Sequence, residues 1–397
     1  MLKKFLKLQL FLTTITLLML SILPSAGSAQ AVEPVILDLN WSPDGTLLAV
    51  VSDDGSLNVA FPSQNRNIFQ FMRPIDILPK AAVVWSPQGN LLAAGIGNRM
   101  YIWEVDSWQL LYEYEVGLPS GFFTWGNVDS IPEGVQTITW SLDARYVVVG
   151  TNSYETSVWD TQAGILIYRA GDLSGGGPGR VWLSDDGRMG DGATWLNAFT
   201  GERTRPPVED IPRRFGGSNE GGISEPRPDN IQIAQGTYTG ELLIIDLETT
   251  WGIVGFPVTP RQVIGGPGSR IMDISWDGTW NFIAVVSHDG ELYVANVLTS
   301  EVESVLQVDG TLNAVDWNPQ TNDVTYAGVS DTGEPLFSTT NVSGIAGVPE
   351  ISLTPTHTPT ETPTLTFTST RTPSATPNLL FYREFQRNYK TKTPRSY

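Results

Sequence analysis

No cysteine occurs among the 397 residues. Disulfide frameworks, thiolate nucleophiles and cysteine-built zinc sites are excluded together, while oxidising and reducing compartments stay equally open. Histidine is nearly as scarce, present only as His288 and His357. A Ser-His-acid relay needs a positioned histidine, so that catalysis is not expected. The glycine-rich stretch Gly171 to Gly179, GDLSGGGPG, lacks the Gly-Lys-Ser/Thr ending that grips a phosphate. Cations are in short supply too: 24 Lys and Arg face 42 Asp and Glu, for a net charge of -18. Setting aside three lysines in the first 31 residues, and six basic and three acidic residues from Glu350 onward, leaves 15 basic and 39 acidic residues. A net charge of -24, with Lys80 as the sole lysine of that span, makes nucleic acid a poor partner.

What is abundant points to β-structure. The 39 Gly and 27 Pro punctuate the whole chain and argue against an all-helical protein. Thirteen Trp, 12 Tyr and 15 Phe supply the bulky apolar surface that a disordered chain lacks.

The two ends differ from the middle. Lys3, Lys4 and Lys7 precede an apolar run from Leu8 to Leu23, and small residues around Ala29-Gln30-Ala31 follow. That order predicts a secretory signal over residues 1–31, with a retained membrane anchor as the alternative. From Thr354 to Pro377 the chain reads TPTHTPTETPTLTFTSTRTPSATP. Such a segment buries no core, and proline keeps it extended, so a Thr/Pro linker is expected over 350–377. Residues 378–397 carry Arg383, Arg387, Lys390, Lys392 and Arg395 against Glu384, a basic disordered tail suited to anionic lipid or wall polymer, or simply solvated.

Between the ends the chain repeats itself. Trp41-Ser42-Pro43-Asp44-Gly45 returns as Trp85-Ser86-Pro87-Gln88-Gly89, and degenerate copies stand at Trp140, Leu183, Glu225, Trp276 and Trp317. Those seven markers are spaced by 44, 55, 43, 42, 51 and 41 residues. Each unit has one grammar. An apolar strand runs into the marker, as at Ile36 to Trp41, and a Pro-Asp-Gly turn follows because Pro presets φ and Gly accepts positive φ. A second strand such as Leu47 to Val51 ends in a tight turn, at Asp53-Asp54-Gly55, Tyr238-Thr239-Gly240 or His288-Asp289-Gly290. The third strand closes on an apolar residue and an acid, Val158-Trp159-Asp160 being the clearest, and a more polar fourth strand follows, as at Ile165 to Arg169.

These residues resemble the WD-repeat β-propeller family, and the Ser-Pro-Asp-Gly turn is shared with Pro-Asp-repeat propellers. The resemblance implies an all-β, seven-bladed propeller over residues 32–349, about 45 residues per blade. The family's Gly-His dipeptide is missing, so its buried histidine network is not expected and blade packing falls to the repeated tryptophans. Blade four reads as truncated, with little room between Gly187 and Trp195 and a long loop from Arg203 to Gly222. Val342 to Pro349 is the candidate for the last outer strand.

No catalytic, metal or cofactor site is expected. The acid pairs Asp53-Asp54 and Asp185-Asp186 fall in turns, where Asp caps its own backbone. His288 holds the turn position that Asp53 holds in the first unit. The arginines Arg203, Arg205, Arg213, Arg214 and Arg227 are read as partners for surplus carboxylates. Phe122, Phe123 and Trp125 lie in a long interval from Gly117 to Gly134, either as exposed contacts or as a lid on the channel. With Tyr238 and His288 they make up the candidate partner-binding residues on one loop-rich face. The expectation is a monomeric, secreted or envelope-associated module that binds a protein or a glycan, without catalysis. A propeller hydrolase or lyase using channel carboxylates is the alternative.

Overall fold

The computed structural model describes residues 33–73, 81–116, 134–151, 155–171, 182–183, 188–190, 195–197, 203–204, 223–227, 229, 232–246, 262–266, 268–345 and 347–348. Its strands follow the repeat. Blade one holds β1 (Ile36–Trp41), β2 (Leu48–Ser52), β3 (Ser56–Phe61) and β4 (Arg66–Met72), and blade two holds β5 (Ala81–Trp85), β6 (Leu91–Ile96), β7 (Arg99–Glu104) and β8 (Leu110–Glu115). Blade three is β9 (Val135–Trp140), β10 (Tyr146–Thr151), β11 (Glu155–Asp160) and β12 (Ile165–Gly171). Blade four is β13 (Trp182–Leu183), β14 (Arg188–Gly190), β15 (Trp195–Asn197) and β16 (Arg203–Thr204). Blade five is β17 (Ser224–Pro226), β18 (Gln232–Gly236), β19 (Leu242–Asp246) and β20 (Gln262–Ile264). Blade six is β21 (Ile271–Trp276), β22 (Phe282–Ser287), β23 (Glu291–Asn296) and β24 (Val302–Gln307). A last sheet holds β25 (Gly310–Trp317), β26 (Asp323–Ser330) and β27 (Pro335–Asn341).

Every pairing is antiparallel and sequential, and the first strands touch in the order β1, β5, β9, β13, β17, β21, β25 and back to β1. This is an all-β propeller. Three expectations need correction. Six sheets, rather than seven, are complete four-stranded blades, since the seventh sheet has three strands among the described residues. Blade four is truncated as expected, with strands of only two or three residues, but Arg203–Thr204, read as the start of a long loop, is its fourth strand. The stretch from Val342 onward is not an outer strand over its described residues. It makes successive turns, Ile345 N–H to Val342 O at 3.1 Å and Val348 N–H to Ile345 O at 3.1 Å, and buries Val342 and Val348 beside Phe282.

The Trp-Ser-Pro-Asp-Gly turn has a local cause. Ser42 Oγ accepts the Leu47 N–H at 2.9 Å, Ser86 Oγ that of Leu91 at 3.0 Å, and Ser141 Oγ that of Tyr146 at 2.9 Å. In blade six Asp277 takes the same post and accepts the Phe282 N–H at 2.8 Å. Gly45 sits at φ 67° with Asn318 close above it; an added Cβ would meet the Asn318 side-chain oxygen at 2.4 Å.

Packing between blades answers the missing histidine network. Each marker tryptophan is buried at the end of a first strand, and in three of them the indole N–H reaches back to a carbonyl of the preceding blade: Trp85 to Asn40 (2.9 Å), Trp140 to Val84 (3.4 Å) and Trp276 to Glu225 (3.2 Å). Polar side chains on the first strands tie forward. Asp38 accepts from Val83 N–H, Asn40 from Trp85 N–H, Asp273 from Val315 N–H, each at 2.9 Å, and Ser275 from Trp317 N–H at 3.0 Å. Outside them, β4 covers β7 and the turn after it with rings: Phe71 lies 5.1 Å from Trp103 of β7, and Phe69 stacks on Trp108 of the turn at 4.5 Å.

Ring closure rests on Asp316. Its Oδ2 accepts from Trp41 N–H (2.6 Å) and Asn40 Nδ2 (3.0 Å) of blade one, and Oδ1 accepts from Ser275 Oγ (2.6 Å) of blade six. Part of the residue remains accessible, but enclosure of the carboxyl group pushes its pKa up to about 7. Ser275 and the Trp41 amide pull the other way, and the Glu225 and Asp273 carboxylates add to the rise.

Candidate functional site

The ring has two unlike ends. At one, first strands turn into second strands. At the other, the second-to-third-strand hairpins stand beside the connections between blades, as backbone hydrogen bonds prove: Arg73 N–H to Gly55 O, Val135 N–H to Gly97 O, Ile271 N–H to Thr237 O, Val308 N–H to Gly290 O and Asp331 N–H to Asp309 O. Repeat architecture alone places these segments together, because an even number of strands returns the chain to the end from which each blade started.

Two candidate binding residues meet at this hairpin end. Tyr238 lies in the turn between β18 and β19, held by Thr237 Oγ1 accepting the Glu241 N–H at 2.9 Å. His288 lies in the turn between β22 and β23, one blade further on. Arg270, just before β21, joins them. Its guanidinium carbon stands 4.3 Å from the Tyr238 ring centroid, and its carbonyl accepts the His288 N–H at 2.8 Å. The His288 side chain is 60% exposed and that of Asp289 73%, with His288 Nδ1 3.4 Å from Asp289 Oδ1. A tyrosine face, a cation and an imidazole-carboxylate pair thus share one open seam between blades five and six. A guanidinium on a ring is held for about 0.5–1 kcal/mol at an exposed site, enough to set its direction without closing it to a partner.

Phe122, Phe123 and Trp125 fall outside the described residues, although the chain on both sides is pinned to this end. Val116 N–H donates to Asn98 O at 2.9 Å and Val135 N–H to Gly97 O at 2.8 Å. Sequence reasoning missed Arg270 and its counterpart Arg73, which donates to Ile96 O (3.1 Å) and Asn98 Oδ1 (3.3 Å). The signal was available: each is an arginine at a blade boundary in a span poor in cations.

The other candidates resolve into structure where they are described. Asp53 accepts the Val35 N–H and Asp54 the Ser56 N–H, both at 2.9 Å. Arg227 grips Asp229 with two nitrogens, at 2.8 and 2.6 Å, and lies 5.7 Å from the Trp280 ring. Asp160, the acid of the Trp-Asp ending, meets Arg145 at 2.9 Å. Burial works to raise its pKa, but Arg145 and the Ala163 and Gln162 N–H groups outweigh it and hold the carboxyl below its ordinary value. Both oxygens of Asp316 are engaged within the ring, as given above. Among the described residues no group of three or more His, Cys, Asp or Glu is placed to hold a metal ion, and no helix is long and apolar enough to cross a membrane.

Comparison with known families adds one finding. Residues 30–59 match the WD40 family model, described as WD domain, G-beta repeat. The match runs over β1 and β2 and most of β3, the strands that carry the clearest marker and the Asp53-Asp54-Gly55 hairpin.

Proposed function

Because the chain is a WD-repeat β-propeller, a fold that suggests a protein-binding scaffold, we propose that it is an exported, non-catalytic module that binds a protein partner on its hairpin face. The observation that carries this reading is the Tyr238, Arg270 and His288 cluster on adjoining blades, with the His288 and Asp289 side chains open to solvent. Aromatic and arginine side chains are the residues that most often dominate interface energy. Phe122, Phe123 and Trp125 are proposed as further contacts, since the chain enters and leaves their segment at the same end of the ring. Export and display at the envelope rest on the order of charge, apolar run and small residues before Val32 and on the Thr/Pro segment after Pro349.

The test is affinity capture from secreted and envelope fractions of the source organism with the purified chain as bait, paired with a glycan array. A protein retained by the wild type and lost with the Arg270→Ala, His288→Ala double variant supports the reading. Array hits without any retained protein would move the ligand class to glycans. Retention that the double variant leaves intact would move the site off this face.

A further inference from the structure

At the end where first strands become second strands, blades five and six each fill one post of the repeated turn against the turn's own chemistry. The bend of the turn is Gly45 at φ 67°, Gly89 at φ 73° and Ala144 at φ 55°, and each donates its N–H to the carbonyl three residues back. In blade six that bond, to Asp277 O at 3.1 Å, comes from Trp280 at φ 63°. A left-handed backbone suits glycine and strains a bulky side chain. Full burial does not offset the strain, because Trp280 is 39% exposed where the marker tryptophans are 2–9% exposed.

The other post is the small polar residue whose N–H meets the carbonyl five residues ahead: Ser42 to Leu47, Ser86 to Leu91, Ser141 to Tyr146 and Asp277 to Phe282. In blade five that bond runs from Arg227 to Gln232 at 2.8 Å, so an arginine stands where the other turns carry serine or aspartate. Its guanidinium is held on every nitrogen: Nε and Nη2 donate to Asp229 at 2.8 and 2.6 Å, and Nη1 to Gln232 Oε1 at 2.8 Å. Gln232 is itself buried and fixed, its Nε2 donating to Asp246 Oδ1 at 2.7 Å. The two departures meet, because the Arg227 guanidinium carbon lies 5.7 Å from the Trp280 ring centroid. A partly exposed indole on a strained backbone, beside a cation locked by further residues, has the build of a prepared site.

We propose that Trp280, with Arg227 and Asp229 at its edge, is a platform for a neutral sugar ring, the apolar C–H face of a pyranose lying on the indole. The chemistry selects this class. A cationic ligand, which an aromatic face would otherwise attract, meets the Arg227 charge beside the ring. An anionic ligand finds that charge already answered by Asp229, in a span whose net charge is -24. A wholly apolar ligand would cover polar groups without replacing their water, since the Arg227 and Asp229 side chains keep 19% and 20% of their surface accessible and Thr279 beside the ring is exposed. A sugar offers the ring its C–H face and offers those groups hydroxyls that both donate and accept. The site lies at the opposite end of the ring from the Tyr238, Arg270 and His288 cluster and does not depend on it.

The test applies the full chain to immobilised neutral oligosaccharides, namely cellohexaose, laminarihexaose, mannohexaose and galactohexaose, and titrates each one retained. The wild type should bind at least one of them, and Trp280→Gly should weaken that binding about tenfold or more. The melting temperature of Trp280→Gly should stay level or rise, because glycine adopts the left-handed conformation without strain. Trp280→Phe, which keeps an aromatic face, should retain most of the binding, and the Arg270→Ala, His288→Ala double variant should bind like the wild type. Four results would overturn the proposal: no binding of any of the four sugars by the wild type, binding that Trp280→Gly leaves unchanged, a marked fall in melting temperature in Trp280→Gly, which would make the ring a packing element, or binding lost in the hairpin-face double variant instead. A failure of the protein-partner reading shows in capture with that double variant and leaves these outcomes unaffected.

Discussion

The two ends of the ring spend their polar groups differently. At the turn end, side chains close on backbone, both within a turn and from one turn to the next: Gln88 Nε2 donates to Leu142 O at 2.6 Å, Asn318 Nδ2 to Gly45 O at 2.9 Å, and Gln320 Nε2 to Pro43 O at 3.1 Å. At the hairpin end backbone bonds join neighbouring blades, the Arg73 and Arg270 side chains add contacts across, and His288 and Asp289 project outward. An end whose side chains are consumed in holding the ring has little left for recognition. An end held by backbone is free to vary its side chains, which is why the proposed binding face is placed there.

That contrast breaks most visibly at the turn end. Trp276→Ala empties the site of a buried indole packed with Ile274 and Ile283 and removes its bond to Glu225 O. Calorimetry or denaturant titration should show a loss of about 3–5 kcal/mol. Asp277→Ala comes next. Asp277 accepts N–H groups from Thr279, Asn281 and Phe282, and leaving them unpaired should cost about 1–3 kcal/mol by the same measurement, with partner capture unchanged at temperatures where the variant stays folded.

Asp316 sharpens the comparison through pH. Its folded pKa, about 7, lies above its ordinary value of 3.8, so the folded ring holds a proton that the unfolded chain releases. Stability from this group is fully present below pH 3.8, falls as pH rises, and is lost above about 7. Melting temperature against pH for the wild type should therefore show, relative to Asp316→Asn, an extra decline between those limits. The smallest stability effect is expected at the hairpin end, where Arg270→Ala should cost under ~1 kcal/mol because the side chain is a surface contact.

How far the sequence could be read follows the same division. Turn-end markers were legible because one chemistry recurs. Ile36 to Trp41 and Ile271 to Trp276 are strands to the residue, since a tryptophan followed by a serine or aspartate that bonds five residues ahead leaves no freedom in register. Tyr238 and His288 were placed on one face for the same reason. Arg270 was not legible as their link, because a cation-ring contact between blades depends on how adjacent hairpins lean. The seventh sheet was misjudged because its first strand carries Trp317 like any other, while its third strand puts Ser338, Thr339 and Thr340 where blade two has Tyr101, Ile102 and Trp103. The fourth strand of blade four was read as the start of a loop, since two residues, Arg203 and Thr204, are too short a pattern to show alternation.

The most direct test sets the two ends against each other with one captured partner. Its affinity is measured for the Arg270→Ala, His288→Ala double variant and for Asp277→Ala, each confirmed folded at the temperature used. The account predicts at least about a tenfold loss for the hairpin-end variant, a change on the scale of 1.4 kcal/mol, and wild-type affinity for Asp277→Ala. Wild-type affinity for the hairpin-end variant together with a loss for Asp277→Ala would contradict it.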